Sequence, residues 1–150
     1  MTAHTLTLRG ARPRLDWPSR LCAILTNVGR QILSGRLLNT APGAGNPGAS
    51  APRYVAWGTG STAEAASQTA LATASAEART AGTDTQQTTS VTNDTYRVVG
   101  AITSAGSQTI AEAGLFDAST SGNMLIRGVF TGIPVVASDV ITFTFNLQFT

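Results

Sequence analysis

The chain has 150 residues, with ten basic residues, all arginine, against eight acids, one histidine and one cysteine; this is one domain's worth of chain, with room for one modest core. The lone Cys22 excludes an internal disulfide scaffold and a cysteine-built zinc or iron–sulfur site, and no apolar run approaches the roughly 20 residues that span a bilayer. Alanine and threonine occur 23 times each and only 12% of residues are charged, about half the usual globular share, so composition predicts a soluble protein that works inside an assembly.

Residues 1–19 read as an extended basic arm. The opening MTAHTLTLRG lacks the continuous apolar core of a secretory signal. Thr5 to Leu8 suit a short strand, and Pro13 and Pro18 then interrupt regular structure. Charge is unevenly placed. The first 53 residues carry seven arginines against Asp16, a local net of +6, whereas residues 54–150 carry a net of −4. The arginines are scattered, and Trp17 and Tyr54 are the only large aromatics among them. That is too thin for base stacking, so direct nucleic-acid binding is not expected. An arm lying on an acidic protein partner, or on a neighbouring copy, fits better, with Leu8, Arg9, Arg12, Arg14, Trp17 and Arg20 as candidate contacts.

From residue 20 the apolar positions Leu21, Ile24, Leu25, Val28 and Ile32 recur at helical spacing. One amphipathic helix is predicted over about 20–34, capped by Ser19, with Gly29 and Gly35 weakening it by about 1 kcal/mol each relative to alanine. Residues 39–52, NTAPGAGNPGASAP, are turn formers and small residues, a flexible loop.

Arg53–Trp57 reads as a short strand that turns at Gly58-Thr59-Gly60. The glycines carry no phosphate-loop signature, because no Gly-Lys-Ser/Thr or GxGxxG follows. The alanine-rich stretch 61–82 predicts a brief helix and then a long strand. Residues 82–90 suit a polar edge strand or a mobile loop.

Beyond residue 93 the alternation is clear. Tyr96, Val98, Gly100 and Ile102 share one parity, Ile110–Phe116 and Met124–Phe130 give two further strands, and turns separate them. Ile141, Phe143, Phe145, Leu147 and Phe149 alternate with polar residues to the end of the chain. The fold class is therefore mainly β: an antiparallel β-sandwich or jelly roll over residues 20–150, with one N-terminal helix and the extended arm.

A catalytic kit is missing. His4 stands alone in the arm, and Cys22 begins an apolar run and reads as core. Glu112 and Asp117 are five apart on one strand, about 16 Å, which suits neither glycosidase geometry. Glu112 is better spent pairing with Arg127 or Arg97 across neighbouring strands. Asp94, Asp117 and Asp139 sit in turns, where carboxylates accept backbone hydrogen bonds. No enzyme activity, cofactor or metal is expected.

The runs Leu25-Thr26-Asn27-Val28-Gly29, Tyr54 to Gly60 (YVAWGTG), Ile110 to Asp117 (IAEAGLFD) and Ser121 to Arg127 (SGNMLIR) resemble small structural proteins of tailed bacteriophages, either capsid decoration (cement) proteins or tail and neck fibre components. The resemblance spans about residues 25–148 and leaves out the arm. Trp57, Gly58, Gly60, Glu112, Gly114, Phe116 and Arg127 are its candidate structural residues. It implies a virion protein, made in the host cytoplasm, that self-associates and binds the major capsid protein or another virion protein. Taken as complete at 150 residues, with no shaft repeat or heptad run, the chain is expected to be a decoration protein that stabilises the head shell. The alternatives are a tail or neck fibre adaptor and a carbohydrate-binding sandwich, the last requiring exposed aromatics around Trp57.

Overall fold

A computed structural model of the protein describes residues 4–10, 21–37 and 51–149. Among these described residues the protein is mostly β, with two sheets and one short helix. Nine strands follow one another as β1 (His4–Gly10), β2 (Leu21–Leu25), β3 (Tyr54–Gly58), β4 (Thr80–Ala81), β5 (Thr83–Gln87), β6 (Thr95–Thr103), β7 (Gln108–Phe116), β8 (Met124–Val135) and β9 (Val140–Gln148), with helix α1 (Asn27–Leu37) after β2. One sheet runs β5-β6-β9-β1 and the other β2-β8-β7-β3-β4. A short β1–β2 contact, Leu8 beside Leu21 and Arg9 beside Cys22, joins them.

The two inner faces share one apolar core. Val98, Ile102, Ile141, Phe143, Phe145 and Leu147 from the first sheet meet Val55, Trp57, Ile110, Leu115, Ile126 and Phe130 from the second. Trp57 stands edge-on to Phe143, with ring centroids 6.1 Å apart and planes at 80°, an arrangement aromatic pairs favour. Gly100 lets the sheets approach, since a Cβ there would lie 2.7 Å from Val55 Cγ2. At the far side, β4 and β5 are consecutive, and the chain passes from one sheet to the other at Gly82, whose N–H donates to the Arg53 carbonyl at 2.8 Å.

The N-terminal third departs from expectation. Residues 4–10 are a strand held on both sides, pairing with β9 from His4–Ile141 to Gly10–Leu147. Both of its pairings are parallel, so the sheets are not purely antiparallel. A deletion of residues 1–18 therefore removes a paired strand, not a separable arm. The predicted helix over 20–34 is displaced as well. Leu21–Leu25 forms β2 against Ile126–Gly128 of β8, and the helix begins only at Asn27. A contiguous apolar run satisfies either period, and the neighbouring strand decided it. Thr26, not Ser19, caps the helix: its Oγ1 accepts the Gly29 N–H at 2.9 Å. Gly29 is needed for contact rather than for φ, because a Cβ would sit 2.5 Å from the Leu125 carbonyl oxygen.

Three further differences follow from packing. Residues 61–79 contain neither the predicted helix nor the long strand, only a bridge from Ala74 to Gly58 before β4. Residues 83–87 take the edge-strand option. Phe149 fits the parity of β9 but lies just past its end and is 54% exposed, so it is not core. The expected loop over 39–52 falls outside the described residues except for 51 and 52.

Candidate functional site

The most highly built part of the molecule is the outer side of the β3-β7-β8 sheet. Ala113 and Leu115 alternate into the core, and the irregularity in β7–β8 pairing between Ile110 and Glu112 shifts the parity so that Ile110 joins them while Glu112 faces outward. Glu112 and Arg127 meet there, Nε to Oε2 at 2.8 Å, with both side chains fully buried. An unsupported buried charge is costly, so such a pair needs further hydrogen bonds. They come from the segment 59–79. Glu112 Oε1 accepts the N–H groups of Gly60 at 3.2 Å and Thr73 at 2.7 Å, and Oε2 accepts that of Ala72 at 3.0 Å. Arg127 Nη1 donates to Gln68 Oε1 at 2.9 Å and Nη2 to the Thr62 carbonyl at 3.0 Å.

The glycines of the turn answer to the same carboxylate. A Cβ on Gly60 would lie 2.5 Å from Glu112 Oε1, and one on Gly58 would lie 2.7 Å from the same atom. Neither glycine has a positive φ, so close approach explains them where turn geometry does not: to Glu112 at Gly60, and at Gly58 first to the Thr73 carbonyl oxygen and then to Glu112. Gly114 leaves space for a second, smaller apolar cluster of Ala56, Leu71, Phe116 and Met124. The Arg79 guanidinium covers this cluster, 3.5 Å from the centre of the Phe116 ring. Burial pulls the Arg79 pKa below its ordinary value, and nearby Asp117 opposes that pull.

Two more carboxylates fasten loops. Glu77 accepts Trp57 Nε1–H at 3.1 Å, the Ala105 N–H at 3.0 Å and Gln108 Nε2–H at 2.6 Å. Desolvation pushes its pKa up, and these hydrogen bonds, with one to its own backbone, hold it below its ordinary value. Asp94 accepts the N–H groups of Thr89, Ser90 and Val91 at 2.8, 2.9 and 3.1 Å and Gln148 Nε2–H at 3.0 Å. Burial raises the Asp94 pKa, and these bonds outweigh it and hold the group well below the usual carboxylate range.

The candidate residues are thus distributed unequally. Glu112, Gly58, Gly60 and Arg127 come together at one point, and Gly114 and Phe116 form the cluster beside it. Trp57 lies on the opposite side of β3, only 2% exposed, and so offers no aromatic platform to a sugar. Leu8 and Arg9 are strand positions in β1. Arg12, Arg14, Trp17 and Arg20 lie outside the described residues. Arg97 pairs not with Glu112 but with Asn146, Nε to Oδ1 at 2.8 Å. Sequence reasoning missed Glu64, which accepts the Val129 N–H at 2.8 Å, and it missed Gln68 and Glu77. A cluster of carboxylates and an amide in an alanine-rich run is the only signal that marks them.

The arrangement holds one segment of the chain to another and offers no reacting centre. Among the described residues no group of three or more His, Cys, Asp or Glu side chains is placed to hold a metal ion, and no helix is long and apolar enough to cross a membrane. The outer face of the β5-β6-β9 sheet bears Thr83, Thr85, Val99, Ala101, Thr142 and Thr144 in adjoining register, a hydroxyl-rich surface with little charge.

A family model described as Podophage GP4 fiber I protein gp80 matches residues 30–148. No curated protein and no solved structure matches the chain.

Proposed function

The chain belongs to the Podophage GP4 fiber I protein gp80 family and is a non-enzymatic bacteriophage virion structural protein; on that premise we propose that it serves in the tail or fibre region, as an adaptor that binds other virion proteins. The observation that carries the proposal is the family match itself, which takes in α1 from Arg30 onward and every strand from β3 to β9. It supports the fibre reading over the capsid-decoration reading that the sequence alone favours.

The buried Glu112–Arg127 pair and the loops tied to it suit a rigid scaffold. The scaffold itself is proposed to be a β-sandwich rather than a jelly roll, supported by the apolar cluster shared between the sheets and by the parallel β1–β2 contact. Self-association into a homo-oligomer belongs to the same proposal and is supported by the low charge of the chain. Arg12, Arg14, Trp17 and Arg20 are proposed as partner contacts, because the first 53 residues carry a net charge of +6 whereas residues 54–150 carry −4. Leu8 and Arg9 retain that role only at the surface that a paired strand presents.

Dissociating purified particles into heads and tails tests the reading. Mass spectrometry is expected to find the chain in the tail fraction. Recovery with empty heads would restore the decoration reading.

A further inference from the structure

We propose that residues 59–79 form a strap that opens as one unit while the two sheets stay closed, with Glu112 and Arg127 as its latch. The inference is independent of where in the virion the protein sits. The strap has no helix, and its one strand-like contact is the Ala74–Gly58 bridge. No strap residue belongs to the main apolar core between the sheets. Its only large apolar anchor is Leu71, packed on Ala56, Phe116 and Met124. Segments held by polar contacts, with few buried apolar ones, open at a lower free energy than the whole molecule.

The latch acts on both limbs of the strap. Glu112 takes N–H groups from Gly60 on one limb and from Ala72 and Thr73 on the other. Arg127 adds the Thr62 carbonyl and the Gln68 side chain. Glu64 and Glu77 tie the strap to Val129 and to Trp57 from their own positions. Neutralising one member leaves the other charged and buried without its partner, and admitting water by opening the strap relieves that state. A latch substitution therefore acts on the strap before it acts on the core.

Hydrogen-exchange mass spectrometry on the full chain tests this, comparing peptides over 60–73 with peptides over 141–147 of β9. In the unaltered chain the strap is expected to exchange faster than β9, at a rate that urea accelerates less than it accelerates β9. Glu112→Gln is expected to raise strap exchange about tenfold more than it raises β9 exchange. A parallel rise in both regions overturns the proposal. If the variant does not fold, the urea series on the unaltered chain decides alone, and equal urea sensitivity of strap and β9 overturns it.

Discussion

Glu112 on β7 and Arg127 on β8 form a buried ion pair, 2.8 Å from Oε2 to Nε, whose remaining hydrogen-bonding capacity is taken up by a segment 39 to 65 positions earlier in the chain. Three backbone N–H groups converge on the carboxylate and three strap oxygens on the guanidinium. The pair is satisfied only when sheet and strap are both in place, so it couples two parts of the chain that share little apolar contact.

Removing the cation should therefore be costly. Arg127→Ala is expected to lower the unfolding free energy by about 3 kcal/mol, because it strands a buried carboxylate. Arg127→Lys should recover this only in part, since a single ammonium cannot reach Glu112, Gln68 and Thr62 together as the planar fork does. Urea denaturation measures both. A loss below about 1 kcal/mol for the alanine variant would contradict the role given to the pair.

Glycine substitutions separate contact from conformation. Gly60→Ala places a methyl group 2.5 Å from Glu112 Oε1 and 2.8 Å from the Ala72 Cβ, and about 1–3 kcal/mol of destabilisation is expected. Gly106→Ala meets nothing within 4 Å and should stay within about 0.5 kcal/mol of the unaltered protein. Thermal melts of the two variants, compared side by side, check the contrast.

Deleting residues 1–10 removes β1, which pairs with β9 along its whole length and touches β2. The expected result is a clear fall in melting temperature with exposure of the β9 edge. An unchanged melt would show that β1 adds nothing to the fold.

Acid should weaken the protein through Asp94. Its carboxyl is held below the usual range in the folded state by the Val91, Thr89, Ser90 and Gln148 donors, against the opposing effect of burial. An unfolded aspartate titrates at about 3.9, so as pH falls the unfolded chain takes up the proton first. The stabilisation is then complete above that value and is lost as pH drops through it toward the folded one. Glu77, also lowered, acts in the same direction. Asp94→Asn should flatten the stability profile between about pH 5 and 2, measured by denaturation at successive pH values; an unchanged slope would contradict the assignment.

Local alternation made the later strands legible. In β9 the residues Ile141, Phe143, Phe145 and Leu147 are buried as the pattern requires, because one face meets the core and the other does not. Parity says nothing about where a sheet stops, which is why Phe149 is exposed. The same kind of signal fails at Leu21–Leu25, where an unbroken apolar run suits a strand beside β8 as well as a helix. It fails more completely over 61–79. Alanine favours helix locally, but Glu112 and Arg127 capture that backbone from a distance of 40 or more positions. Opposite charges on neighbouring strands suggest that Glu112 and Arg127 pair. Nothing local reveals that they hold a strap.

Immunogold electron microscopy of intact particles, with an antibody against this chain, tests its place in the virion most directly. Label confined to the tail or its fibres is the predicted result. Label spread over the whole icosahedral head would contradict the fibre-adaptor account and return the same scaffold to the decoration reading.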